Sequence, residues 1–189
     1  NRSGLLMAWG NYWGRTPTYL FSSPTQVPGT TWVKARGGDN STLAIQTDGS
    51  LWSWGAGGNG RLGQNNLTAR SSPVQVGSNT TWDKISQIPV TWSHLICDGY
   101  AMMATKTDNT LWAWGRNASG ELGHNNRTYY SSPVQIPGTS WSGPLGNCKK
   151  SFFCIRTDGP LWSWGENQYG KLGLNDRTDY IISKTNTWY

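Results

Sequence analysis

The chain has 189 residues, enough for one domain with a sizeable core; only 35% are hydrophobic, but 13 Trp and 8 Tyr supply large buried area per residue. That aromatic content excludes a disordered chain, and 24 Gly, 9 Pro and only 14% charged residues describe a turn-rich all-β protein rather than a helical one. The net charge of +6 comes from basic residues strung singly along the chain, with Lys149-Lys150 the one adjacent pair, which disfavours a nucleic-acid partner, and no run approaches the roughly 18 apolar residues of a membrane span.

The first apolar stretch is LLMAWG, whose Trp9 registers with Trp54, Trp114 and Trp164 of three LWxWG strands at intervals of roughly 45 to 60 residues, a period of propeller blades or solenoid units. The first unit, approximately 5–50, is degenerate: LMAWGNYWGRTPTYLFSSP keeps Gly14 but lacks the Leu-Gly that later copies carry. It continues through Ser22-Ser23-Pro24 and a lone Trp32 to TLAIQ-TDGS-LWSWG, which reads as strand, tight turn and strand, Asp48-Gly49 supplying the positive φ. The second unit, approximately 51–110, opens on LWSWG and runs through Gly55, Gly60, Leu62 and Gly63 to Ser71-Ser72-Pro73 and Trp82. It then carries about ten extra residues, including IPVTWSHLICDGY with Trp92 and His94, before AMMATK-TDNT, where Asn109 takes the turn position of Gly49. The third unit, approximately 111–160, repeats the order with Gly115, Gly120, Leu122, Gly123, Ser131-Ser132-Pro133, Trp141 and FFCIR-TDGP. The fourth, approximately 161–189, has Gly165, Gly170, Leu172 and Gly173 and reaches Trp188-Tyr189 without a closing strand and Thr-Asp turn.

Within LWSWG, alternation puts Trp52 and Trp54 on one face and Leu51 and Ser53 on the other. Both faces carry bulk, as in a sheet sandwiched between neighbouring sheets. SSPVQV is a short strand headed by proline, a residue confined to strand starts and edges, so it is read as the outer strand. No stretch holds helical periodicity long enough for a helical solenoid, leaving blades of antiparallel sheet in a single repeat domain spanning 1–189. The glycines permit turns and close backbone approach, and Leu62 with the paired tryptophans fills the space between blades. No reactive side chain recurs in the motif; it is scaffolding.

TDGxLWxWGxNxxGxLGxN followed by SSPVQV resembles the repeat of the regulator-of-chromosome-condensation family of β-propellers, over almost the whole chain. The resemblance implies an all-β propeller of antiparallel four-stranded blades around a central channel, typically about seven of them, of which this chain would hold three full units and a truncated fourth. Closing a ring generally takes four or more blades, so the expected arrangement is an arc of a longer polypeptide or a ring completed by several chains, with strained four-bladed closure as a third. The near-identity of the units is similar to secreted, bacterial or viral members, which implies an extracellular, cell-surface or virion-associated setting; no signal peptide opens the chain. The resemblance also permits guanine-nucleotide exchange on a small GTPase with chromatin contact, although the residues do not argue for it.

Catalytic chemistry has no visible support. His94 and His124 occupy non-equivalent repeat positions, lack neighbours at metal-ligand spacing and read as surface loop residues. No nucleophile elbow, phosphate loop or metal-binding helix motif occurs, and Glu121 and Glu166 sit at variable turn positions. The expectation is therefore no catalytic residue, metal or cofactor. A structural, adhesion or protein-interaction module presenting variable loops comes first, with a protein partner or self-assembly; a glycan-binding lectin is the alternative. Candidate binding residues are Tyr12, Trp92, His94, Asn117, Tyr129, Tyr130, Asn167 and Tyr169. The three cysteines leave at least one unpaired; Cys148 and Cys154 are spaced for a local bridge, but core or strand thiols are the preferred reading. Six Asn-x-Ser/Thr sequons, several at equivalent repeat positions, are read as turn residues that recur with their turns.

Overall fold

The computed structural model describes residues 4–10, 21–77 and 95–185. Its fourteen strands are β1 (Met7–Gly10), β2 (Phe21–Gln26), β3 (Trp32–Gly37), β4 (Ser41–Gln46), β5 (Leu51–Gly55), β6 (Arg70–Gln75), β7 (Leu95–Asp98), β8 (Ala101–Thr105), β9 (Leu111–Gly115), β10 (Tyr130–Gln135), β11 (Trp141–Asn147), β12 (Ser151–Arg156), β13 (Leu161–Gly165) and β14 (Tyr180–Thr185). They form a two-stranded sheet, β1-β2, and three four-stranded meanders, β3-β4-β5-β6, β7-β8-β9-β10 and β11-β12-β13-β14, every pairing antiparallel. These are propeller blades. The only helix among the described residues is a 3₁₀ turn at Gly58–Gly60.

Each tight Thr-Asp turn lies inside a blade, because a hairpin's two strands must share a sheet. The β4–β5 hairpin pairs Leu43 with Ser53 and Ala44 with Trp52. Blades therefore begin at the lone tryptophan, Trp32 or Trp141, and end on the SSPVQ strand, out of phase with units counted from LWxWG. Asp48 and Asp108 each cap their turn, accepting from the backbone N–H and hydroxyl of the residue two ahead, Ser50 or Thr110. The hydroxyl in turn accepts from the first indole of the next strand, Trp52 or Trp112.

The proline-led strands β6 and β10 lie at blade edges, as read from the sequence. Their pairing shifts register across the segment containing Pro73 or Pro133, where the missing N–H would otherwise break the ladder.

Three apolar layers separate successive sheets. The first joins Ala8 of β1 and Val27, just after β2, to Trp32, Ala44 and Trp54. The second joins Leu43, Ile45 and Leu51 to Leu95, Met102, Ala104 and Trp114. The third joins Met103, Leu111 and Leu122 to Trp141, Phe152, Cys154 and Trp164. Strand β5 thus buries both faces, as its alternation predicts.

The repeated glycine loops lock these layers. Trp114 Nε1 donates to Arg61 O at 2.9 Å, and Trp164 Nε1 donates to Glu121 O at 2.8 Å, each reaching the Gly-x-Leu-Gly segment of the preceding blade. Asn65 N and Asn125 N then donate across the same junctions to Ser131 O and Ile181 O, both at 2.7 Å. A Cβ on Gly60 would lie 2.5 Å from Ser131 Cα, and one on Gly120 the same distance from Ile181 Cα, so only glycine lets the blades close.

Trp114 is fully buried between two blades and leaves Arg61 O without its donor when truncated. Trp114→Ala is expected to destabilise the chain by about 3–5 kcal/mol, read as a lowered urea midpoint. A loss under about 1 kcal/mol would refute the sandwich as the source of stability.

Candidate functional site

Strand register fixes which loops share an end of the blades. Gly115 pairs with both Ala101 and Tyr130, and Gly165 pairs with both Ser151 and Tyr180. The β3–β4, β7–β8 and β11–β12 turns therefore emerge beside the long loops 56–69, 116–129 and 166–179.

Much of each long loop is consumed by its own folding. Asn117 is fully buried; its Nδ2 donates to Asn126 O at 2.9 Å and Thr128 O at 3.1 Å, and its Oδ1 accepts from Leu122 N at 2.9 Å. Asn167 repeats this with Asp176 O and Leu172 N. These two asparagines, read from sequence as binding residues, are loop struts that no partner can reach. Tyr130 is also structural: its ring meets His124 edge-on at 5.2 Å and its hydroxyl accepts from Asn126 Nδ2 at 3.0 Å. His124 itself is half-buried rather than a surface residue.

The sequon side chains of Asn66 and Asn126 accept from Thr68 N and Thr128 N, closing Asx turns. Asp176 does the same for Thr178 N without being part of a sequon, so the turn is what recurs.

Exposed on the same blade end are Tyr169 (79%), Tyr129 (45%) and Tyr100 (41%). The first two are among the predicted candidates. Tyr100, in the β7–β8 turn, was missed, as were the arginines around it. Arg61 donates from Nη1 to Gly99 O at 2.6 Å and from Nε to Gly58 O at 2.8 Å, holding its guanidinium 4.4 Å over the Tyr100 ring. Arg116 approaches the same ring at 5.6 Å and lies 3.9 Å from the buried Glu121 carboxylate. In the next blade Glu166 bridges Lys150 at 2.9 Å and Lys171 at 2.8 Å. Those two ammonium groups, Lys150 foremost, hold the Glu166 carboxyl below its ordinary value. Partly hydrated pairs of this kind add little stability, so their effect is to fix side-chain positions. Arg61, Glu121 and Lys171 occupy one repeat position, where the backbone is fixed by the glycine loop and the side chain varies.

Tyr12, Trp92 and His94 lie outside the described residues, and of Trp9 only the backbone is described. All three cysteines are free thiols, Cys148 exposed and Cys154 buried, so no bridge joins them. Burial pushes the Cys97 thiol up to about 12, too high for a nucleophile at neutral pH. Among the described residues no group of three His, Cys, Asp or Glu is placed to hold a metal ion, and no helix is long and apolar enough to cross a membrane. A cleft of about 400 Å³ opens between the first two complete blades near Gln64 and Pro133. Its aromatic wall, Trp112, is covered by Lys106 Nζ at 3.6 Å from the ring centroid, which leaves that indole face occupied.

The signature described as regulator of chromosome condensation (RCC1) repeat matches residues 48–97, 108–144 and 158–185. The ultraviolet-B receptor UVR8 of Arabidopsis thaliana is 32% identical over 110 residues, 58% of this chain and 23% of the receptor. The RCC1 domain-containing protein RUG3, mitochondrial, of the same plant is 32% identical over 97 residues, 51% of this chain and 21% of that protein. The chain thus spans under a quarter of the length of these curated relatives. Among solved structures, human WBSCR16 superposes with a TM-score of 0.79 at 20% identity, covering 98% of this chain and 49% of that one. Yeast RCC1 (Prp20), solved bound to Kap60, gives 0.73 at 17%, covering 98% and 45%. At these identities the likeness shows the fold, an arc of β-propeller.

Burial holds the His124 imidazole below its ordinary value, favouring the neutral form, with no hydrogen-bond partner for Nε2 among the described residues. The unfolded chain, with its histidine near 6.5, takes up the proton first as pH falls. Stability is therefore expected to be full above about pH 6.5 and to decline below it until the lowered folded value is passed. His124→Gln, which installs the residue found at Gln64, should flatten that decline in urea midpoints measured from pH 7.5 to 5. An unchanged slope would remove His124 as its source.

Proposed function

Because the chain belongs to the regulator of chromosome condensation repeat family, we propose that it is a non-catalytic protein-interaction module whose binding surface is the loop end bearing Tyr100, Tyr129 and Tyr169. The observation that carries this is a division of labour. The repeated Trp, Asn and Gly residues are spent on joints between and within blades, whereas the exposed aromatic side chains at one end differ from copy to copy. Tyrosine and arginine dominate binding energy at protein interfaces, and here Arg61 and Arg116 flank Tyr100. Yeast RCC1 (Prp20), of the same fold, was solved bound to Kap60, which supports a protein as the partner class.

The finer setting we infer is adhesive or structural, on a cell surface or virion, supported by the near-identity of the repeat copies. A glycan partner has weaker support, since two of the candidate binding residues, Asn117 and Asn167, are buried and the Trp112 face is covered.

Candidate protein partners recovered by cross-linking to the purified chain provide the test. Replacing Tyr100, Tyr129 and Tyr169 together by alanine is expected to weaken binding at least about tenfold, while Thr47→Ala at the opposite blade end leaves it unchanged. Binding that ignores the tyrosines would sink the assignment of this face. Glycan-array binding lost on Tyr→Ala, or acceleration of nucleotide release from a small GTPase, would replace the proposal with the corresponding alternative.

A further inference from the structure

One turn of the third blade has a backbone that its residues do not favour. Lys149 and Lys150 form the two-residue loop between β11 and β12, with φ of 38° and 66°, and Cys148 N donates to Ser151 O at 2.9 Å to close the hairpin. Both central residues are left-handed, a conformation that a lysine disfavours and that asparagine and glycine adopt readily. Every other non-glycine residue with positive φ among the described residues is an asparagine: Asn59, Asn65, Asn109, Asn125 and Asn175. The corresponding turns of the two earlier blades hold no lysine, and the one left-handed residue in them is Gly99. Lys149 is exposed, so packing does not require it.

The strained turn is held from outside. Asp98 Oδ2, in the β7–β8 turn that carries Tyr100, accepts from Lys150 N at 2.7 Å. Lys150 Nζ donates to Glu166 Oε1 at 2.9 Å, and Lys171 Nζ donates to Lys149 O at 2.7 Å. None of these bonds uses the side chain of Lys149. The acids of this junction are already engaged: Asp98 on that N–H, Glu166 between two ammonium groups, and Glu121 buried with Oε2 accepting from Ser119 N at 2.7 Å. Facing solvent beside them are Lys149, the Tyr100 ring and the partly exposed Arg116. Strain retained at a fixed, exposed position marks side chains that are needed for themselves. We propose that the Lys149-Lys150 turn takes carboxylates from an acidic, extended segment of a protein partner. This rests on the reading of the loop end as a protein-binding surface and adds the charge of what it binds. A few cations set between carboxylates suit acidic side chains spaced along a peptide, not the unbroken charge of a nucleic-acid backbone.

The probe is a fluorescein-labelled oligoglutamate peptide titrated with the 1–189 chain by fluorescence anisotropy, beside an oligoglutamine peptide and an oligothymidylate of equal charge. Binding of oligoglutamate is expected to exceed both and to weaken as salt is raised. Lys149→Asn with Lys150→Gly installs the pair this turn favours. The double variant is expected to raise the dissociation constant at least about tenfold and, with the strain relieved, to raise the urea midpoint. A merely structural role would not move the two readouts in opposite senses. Arg127→Asn with Arg177→Asn removes the same charge from exposed loop positions and should leave binding within about twofold. No binding of oligoglutamate, equal binding of oligoglutamine or a preference for oligothymidylate would overturn the proposal. So would a turn variant that binds like the parent or has a lowered urea midpoint, or arginine changes that weaken binding as much as the lysine changes. Against the cross-linked partners the turn variant is also expected to bind less. Retained binding there, with loss in the triple tyrosine variant, would overturn this inference and leave the loop-end reading standing.

Discussion

An indole N–H held against the backbone carbonyl of the preceding sheet is the constraint on which this molecule depends. Trp114 and Trp164 are the largest groups between their blades, and each has its one polar atom satisfied by a carbonyl that itself has no strand partner. The arrangement binds together three requirements: a bulky residue at the second Trp of LWxWG, a glycine beside it in the facing loop, and a loop path that aims one particular carbonyl. None can change alone. This is why the motif recurs nearly unaltered while the side chain on that same carbonyl-bearing residue is Arg61, Glu121 or Lys171.

The loop end of the blades that carries Tyr100 inherits its character from this arrangement. With the backbone of residue 61 pinned by the tryptophan of the next blade, the arginine side chain starts from a fixed point and reaches Gly99 and Tyr100 of that neighbour. Loop side chains are therefore ordered by the joint beneath them, and ordering them in advance lowers the entropic cost of binding. Variation at the surface and invariance between blades are two results of the same geometry.

The sequence made the blade legible where the chemistry is local. Alternation in LWSWG and the Asp-Gly turn identify β4 and β5, and proline identifies β6 as an edge. The phase of the blades was not legible, because a repeat has no natural starting point until strand pairing supplies one. Asn117 and Asn167 were misread because the first copy has Gly57 there, which made the position look variable. In that copy the Gly57 backbone itself packs against Leu67 and Thr68, so the loop is closed by another route. Tyr130 carried an overlooked signal: Asn126 with Tyr130 and Asp176 with Tyr180 share one spacing and one hydrogen bond, the mark of framework. The stacking of Arg61 on Tyr100 joins two blades across long sequence separation, which no local pattern reveals.

The offset between sequence unit and sheet has an evolutionary consequence. A tandem duplication or deletion of one whole period, with its breakpoint anywhere in the unit, adds or removes a complete sheet and leaves each hairpin paired with its proper mate. Unequal crossing-over between copies as alike as TDGSLWSWG and TDGPLWSWG therefore changes ring size without passing through a broken fold, and lineages built this way can drift in blade number while their joints stay the same.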